Sequence, residues 1–407
     1  MSLKNSTFEV VKSPFHKKDI FIPTSKSYAN RLLILASVFP GSITLNKLPE
    51  STDVLTMIEC LKKLGLTITG DLNSLKVENS FPESEANLME QTIHLQTGDG
   101  GTTNRFLMGL VSLGQKKYVF HPTERISERP VDQFINELES FNVQVTKEND
   151  AWLSFQGPAK FEDDKIEIDC SKSTQFATSI QLIISPLKKK VLPINLHSSA
   201  GYFDITNNLC EQFIHGERKH TVPLDFSSFG YPVALAAVEG KLELTDFTGL
   251  DSYQADSEII SVLNKMGAQV KINGKQLEVN KSQLNSIQVD CSNFPDLVPT
   301  LAYLCSYAKG VSQLQNISVL RDKESDRILE TLKILKAFEV SAKYNEDEDF
   351  LEIEGRESLE KSIELETARD HRMIMVAYLF MRTNGGGKLH HVNHINKSYP
   401  HFLESFA

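Results

Sequence analysis

Four segments of the chain share one order of apolar and polar positions. Each opens on a short β-type run and continues through a polar loop containing Asp. Each then enters a stretch with apolar residues three and four apart, and closes on a run that alternates apolar and polar residues. The segments are Gly41–Thr69, Tyr118–Glu148, Gly240–Ile272 and Gly310–Tyr344. The pattern predicts strand, loop, helix and strand in each. Their helix leucines, Leu61, Leu138, Leu263 and Leu335, lie 77, 125 and 72 residues apart. The wide middle interval has room for a further unit. A solenoid is the competing reading, but solenoid repeats run to about 20–50 residues, and these units are longer and irregular. About six units are expected, grouped as two α/β domains of three.

The stretch Phe213–Ala237 breaks the pattern, with charge, a proline and little periodicity in its first half. It places a domain crossover near Pro223. The opening segment, up to Pro23, is assigned to the C-terminal half. The expected domains are therefore 24–223 and 1–23 plus 224–407.

Composition narrows the class. Of 407 residues, 40% are hydrophobic and 24% charged, which suits a soluble globular protein. The net charge of −10 argues against nucleic acid as a partner. No apolar run reaches membrane-spanning length. The N-terminal "MSLKNSTFEVVKSPFHKKD" lacks the apolar core of a secretory signal. Cys60, Cys170, Cys210, Cys291 and Cys305 form no C-x-x-C pair and are odd in number. Free thiols in a reducing cytoplasm are expected. His390, His391 and His394 cluster, but no carboxylate or Cys nearby in sequence completes a metal ligand set, so a surface turn is the reading.

Candidate chemistry gathers where apolar helices begin. In "IPTSKSYANRLLILASV", Lys26, Ser27 and, one turn on, Arg31 stand at a helix start. Free backbone N–H groups and the helix dipole favour anions there. "TSKS" resembles half of a P-loop, but the glycines are absent, which disfavours a nucleotide cradle. An ordinary capped helix start is the competing reading. "TGDGGTTNRFL" repeats the design with Gly98, Gly100 and Gly101 followed by Thr102, Thr103 and Arg105. Arg129 precedes Pro130 ahead of another helix. Ser171, Ser173, Thr174 and Gln175 exceed what capping alone needs, and Ser199 and Tyr202 sit in a similar setting.

The second half supplies carboxylates. Asp296 precedes an apolar helix. Lys323, Glu324, Asp326 and Arg327 crowd one helix start, and Asp370, His371 and Arg372 another; Lys397 lies near the end. A solvated, salt-bridged first turn is the simpler reading of such charge. Taken together, cations at so many helix starts would build a positive cleft between two domains. Such a cleft suits small substrates bearing phosphate and carboxylate. Asp296, Glu324 and Lys26 are then candidate proton-transfer groups. No metal cluster, Cys nucleophile motif or cofactor fingerprint is evident, so no cofactor is expected.

Nine motifs in order, "SKSYANR", "GDGGTTNR", "SERP", "STQF", "SAGYFDIT", "FPD", "DKESDR", "DHRM" and "KSYP", resemble the EPSP synthase family (3-phosphoshikimate 1-carboxyvinyltransferases) of the enolpyruvyl transferases. The resemblance covers nearly the whole chain. It implies a two-domain inside-out α/β barrel, each domain of three βαβαββ units, with the active site in the cleft between them. It implies that shikimate 3-phosphate is held by Lys26, Ser27, Arg31, Ser173, Thr174, Gln175, Ser199, Tyr202, Asp296 and Lys323. Phosphoenolpyruvate would meet Lys26, Gly101, Arg129, Gln175, Arg327, Arg372 and Lys397. The implied reaction is addition and elimination through a tetrahedral intermediate, with Asp296 as base towards the 5-hydroxyl and Glu324 and Lys26 exchanging protons at the enolpyruvyl side. A cytoplasmic monomer is implied, acting on small molecules without nucleic acid or membrane.

Three departures stand out. Val319 occupies a position where the family often has Asn. Asp99 brings a carboxylate into the glycine turn, and the segment between Tyr202 and Asp225 is short, as if lacking a strand pair. These leave room for a diverged paralogue acting on another anionic hydroxyl substrate. The sister transferase acting on UDP-N-acetylglucosamine usually carries a Cys before its R-P dipeptide, and "HPTERISERP" has none. A non-catalytic anion-binding repeat protein is the rival from another class, and it would not need Asp296, Glu324 and Lys26.

Overall fold

A computed structural model describes residues 6–406. The chain divides into two compact units, Thr24–Pro223 and the discontinuous Met1–Pro23 with Leu224–Ala407.

In the unit Thr24–Pro223, three helices are buried along nearly their whole length: Lys26–Val38, Gly101–Val111 and Thr174–Ile184. They are enclosed on nearly all sides, and they pack on one another. A Cβ on Gly109 would lie 2.2 Å from Ser179 Oγ, so any larger residue there would force Ser179 to shift. Ser179 Oγ in turn donates to the Arg105 carbonyl at 2.8 Å. The helices Thr52–Lys63 and Asp132–Ser140 are amphipathic and bury one face each.

Strands surround these helices with alternating burial. One sheet runs in the order Lys219–Thr221, Ile43–Asn46, Ser74–Val77, Ile68–Asp71, the first pair parallel and the others antiparallel. A second has the same plan: Thr92–Gly98, Lys117–Pro122, Leu153–Gln156, Gln144–Lys147. The third holds only the parallel pair Lys165–Asp169 and Lys190–Ile194. After the helix Ala200–Ile214 the chain forms one short strand, Lys219–Thr221, and this strand joins the first sheet.

The other unit repeats the plan. Its buried, mutually packed helices are Phe226–Glu239, Val298–Ser306 and His371–Thr383. Two four-stranded sheets again combine a parallel pair with antiparallel strands. His16–Lys18 pairs with Lys241–Leu244 in one, and Gln288–Asp290 with Val311–Gln315 in the other. The third sheet has three strands, with Thr7–Val10 antiparallel to Gly387–His390 and Ile363–Leu365 parallel to it. Each unit has its own continuous apolar core.

All five cysteines are buried and free. Burial pushes the thiols of Cys60, Cys210 and Cys305 up to about 12, which suits packing rather than nucleophilic chemistry. The histidine cluster is engaged by carboxylates. His390 Nε2 lies 2.8 Å from Glu364, and His391 Nε2 lies 2.8 Å from Glu366.

Candidate active site

In the unit Thr24–Pro223, Lys26, Ser27, Gly101, Thr174 and Gln175 sit on the first turns of the buried helices. Ser25 caps the helix Lys26–Val38 and accepts from the Tyr28 N–H. Lys26 Nζ lies 2.9 Å from Asp53 Oδ2, both side chains being largely buried. Asp53 opens the neighbouring helix Thr52–Lys63, and its carbonyl accepts from Thr103 Oγ1 at 3.2 Å. This ties Lys26 to the glycine turn. There a Cβ on Gly101 would lie 2.3 Å from Arg129 Nη1, so the bare glycine backbone is what lets the buried guanidinium approach.

Arg105 assembles the next group. Its Nη1 donates to Gln175 Oε1 at 2.7 Å and to Ser173 Oγ at 3.4 Å, and its Nη2 donates to the Pro130 carbonyl at 3.0 Å. The guanidinium lies over the Phe176 ring. Gln175 Nε2 donates to Thr102 Oγ1 at 3.2 Å. Ser173 caps the helix Thr174–Ile184 by accepting from the Gln175 N–H. Thr174 is buried beside it. Arg105 thus fixes Ser173, Gln175 and the loop bearing Arg129.

Arg31 is buried and donates to the Ser27 carbonyl at 2.9 Å, the Tyr202 carbonyl at 2.8 Å and Thr206 Oγ1 at 2.9 Å. Burial pushes its guanidinium down to about 10. It holds the start of the helix Ala200–Ile214, where Ser199 takes a left-handed conformation with φ 61°. Asp99 is half-buried in the glycine turn.

In the other unit, Arg327 is the hub. It is 1% exposed. Its Nη1 donates to Asp296 Oδ1 at 2.9 Å, its Nη2 to Glu324 Oε2 at 2.7 Å, and its Nε to Asp370 Oδ2 at 2.8 Å. Asp326 caps the helix Arg327–Ala337, and Asp370 caps His371–Thr383. The Asp370 cap thus also orients the guanidinium fork. Arg372 Nη2 donates to Asp296 Oδ2 at 2.8 Å, and Lys323 Nζ stands 3.8 Å from Asp296 Oδ1. Lys397 Nζ stands 3.8 Å from Glu324 Oε1. Burial alone pushes the Asp296 carboxyl up. Arg372, Lys323 and Arg327 outweigh that and hold it well below the usual carboxylate range. Asp296 is an ionised acceptor among cations.

Not every expected cation stands at a helix start. Lys397 closes the turn Val392–Lys397, and Arg31 lies in the second turn of its helix. Ser227 donates to the buried Asp256, whose carboxyl is pushed up to about 6 by burial and by the nearby Asp296 charge. The sequence alone gives no role to Asp53, Asp256 or Asp370, and reads Arg105 only as a helix-start cation. Asp370 and Arg105 belong to the motifs "DHRM" and "GDGGTTNR", whereas Asp53 has the spacing of an ordinary first-turn acid. Val319 is half-buried in the turn Ser318–Asp322.

Helix-start cation and carboxylate clusters on a mixed α/β fold define a class. The structure is similar to that of an EPSP synthase from Acinetobacter baumannii, with a TM-score of 0.75 and 21% identity over 98% of this chain and 97% of that one. It is also similar to the enolpyruvyl transferase NikO from Streptomyces tendae, with a TM-score of 0.72 and 12% identity over 99% and 96%. The fold is that of the enolpyruvyl transferases.

Sequence carries the assignment further. The family EPSP synthase (3-phosphoshikimate 1-carboxyvinyltransferase) matches residues 15–406. The 3-phosphoshikimate 1-carboxyvinyltransferase of Psychromonas ingrahamii is 30% identical, covering 98% of this chain and 99% of that protein. That of Vibrio cholerae is 29% identical, covering 96% of each. The chain belongs to the EPSP synthase family and is a transferase. No helix among the described residues is long and apolar enough to cross a membrane.

Proposed function

We propose that the chain transfers the enolpyruvyl group of phosphoenolpyruvate to the 5-hydroxyl of shikimate 3-phosphate. Phosphate and 5-enolpyruvylshikimate 3-phosphate are the products, on the route to chorismate and the aromatic amino acids. The observation that carries the chemistry is Asp296, an ionised carboxylate bridged to Arg327 and Arg372. In this reading the chain is a two-domain inside-out α/β barrel with domains 24–223 and 1–23 plus 224–407. It acts as a cytoplasmic monomer on small molecules only.

Lys26, Ser27, Arg31, Ser173, Thr174, Gln175, Ser199, Tyr202, Asp296 and Lys323 hold shikimate 3-phosphate. Lys26, Gly101, Arg129, Gln175, Arg327, Arg372 and Lys397 hold phosphoenolpyruvate. Asp296 takes the 5-hydroxyl proton as the oxygen attacks C2, and C3 gains a proton, giving a tetrahedral intermediate. Loss of a C3 proton then breaks the C2–O bond to phosphate and restores the double bond. Glu324 and Lys26 exchange the C3 proton, and the cations stabilise the departing phosphate. Phosphate release should require both substrates together. A folded protein that releases none with the pair would refute the reading. The two-stranded sheet and Val319 favour one alternative, a paralogue using another anionic hydroxyl acceptor. Phosphate released only with such an acceptor would support it.

Gly101→Ala provides a local test. Its Cβ would overlap Arg129 Nη1, so the guanidinium must move. The KM for phosphoenolpyruvate is expected to rise about ten-fold, the cost of roughly one charge-assisted contact, with the KM for shikimate 3-phosphate little changed. Steady-state kinetics with each substrate varied in turn checks this.

A further inference from the structure

A cleft of about 1000 Å³ opens in the discontinuous unit, at the upper end of the size range of small-molecule sites. It lies at the C-terminal ends of the helices Phe226–Glu239, Val298–Ser306 and His371–Thr383, lined there by Glu239, Tyr307, Lys309 and Thr383. Asp296 and Arg372 lie at the N-terminal ends of two of these helices. The cleft is thus at the opposite pole of the helices from the Arg327 cluster.

Its rim is basic on an acidic protein. Lys12, Lys281, Lys309 and Arg356 come from four separate segments and outnumber the exposed carboxylate there, Glu357. Lys12 pairs with Glu360, and Arg356 is occupied by the Phe338 and Glu339 carbonyls. Lys281 and Lys309 are exposed and form no ion pair among the described residues. Such ammonium groups are point charges that take phosphate or carboxylate without a fixed fork geometry. Beneath them, Glu239 Oε1 and Arg382 Nε are buried with no hydrogen-bond partner among the described residues. Unsatisfied buried groups are costly in a finished core, and Glu239 lines the cleft that carries these cations.

We propose that this cleft binds a small polyanion, a molecule with two or more phosphate or carboxylate groups, independently of the Arg327 cluster. Glu239 couples the site to pH. Burial pushes its carboxyl up to about 7, while Arg382, Lys12, a hydrogen bond from Thr383 and Lys281 act to lower it. The phenols of Tyr303, Tyr307 and Tyr378 face the same carboxyl and stay neutral. Once Glu239 is protonated, its negative charge no longer offsets the rim. Anion affinity therefore rises as pH falls through about 7.

Calorimetric titration with inorganic pyrophosphate tests the site. The Lys281→Ala/Lys309→Ala variant should lose about ten-fold in affinity for one class of site, with kcat for the transferase reaction unchanged. Titrations that superimpose for the two proteins would overturn the proposal. Ethane-1,2-disulfonate, whose charge is fixed between about pH 6 and 8, tests the coupling. Its affinity should rise several-fold on acidification in the wild type and stay flat in Glu239→Gln. Equal slopes in both proteins would overturn the role of Glu239.

Discussion

Replacing Asp296 by Asn is expected to lower kcat about a thousand-fold, the usual contribution of a positioned general base, while shikimate 3-phosphate still binds. The amide keeps the size and an acceptor oxygen for Arg327 or Arg372, which now bond the two carboxylate oxygens at 2.9 and 2.8 Å. It cannot take the hydroxyl proton. The cations around it lose a counter-charge, so affinity for an anionic substrate should hold or improve. Steady-state turnover together with a direct binding titration separates the two effects. Wild-type kcat in Asp296→Asn would remove Asp296 as the base.

Arg327→Ala carries the largest expected cost in stability, about 3–5 kcal/mol, the range for breaking a buried ion pair by removing one partner. The guanidinium satisfies Asp370, which is fully buried, together with Glu324 and Asp296. Truncation strands these carboxylates in low dielectric. Arg327→Lys should recover little, since one ammonium cannot replace the three-way fork. Asp370→Asn in the Arg327→Ala background should restore part of the loss, because it removes one stranded charge. Urea unfolding of the three variants measures this. An Arg327→Ala midpoint equal to wild type would show that the cluster is not held by Arg327.

Local features of these sites were legible along the chain. The helix Lys26–Val38 is announced by a long apolar run and cations at its start, and both features shape the structure there. The mixed α/β class followed from alternating strands beside helical spacing. The short stretch after Tyr202 corresponds to one strand, Lys219–Thr221, and to a neighbouring sheet of only two strands.

What stayed hidden depends on contacts distant in sequence. Arg105 and Gln175 are 70 residues apart, so no local pattern reports that one fixes the other. Asp53 has the spacing of a routine helix-dipole acid, and only the fold brings it to Lys26. Asp256 becomes unusual only because Ser227 and burial enclose it. Arg31 could be assigned to an anion by its place on a helix face. Its bonds to Thr206 and to the Tyr202 carbonyl required the packing of a helix some 170 residues later, as the 171-residue separation from Tyr202 records.

The most direct measurement is the reaction run in deuterium oxide with phosphoenolpyruvate and shikimate 3-phosphate, followed by mass and proton spectra of the product. The account predicts 5-enolpyruvylshikimate 3-phosphate formed together with phosphate, with deuterium entering the vinyl C3 position because C3 becomes a methyl group in the intermediate. Phosphate release without that product, or product whose C3 protons all come unexchanged from phosphoenolpyruvate, would contradict it.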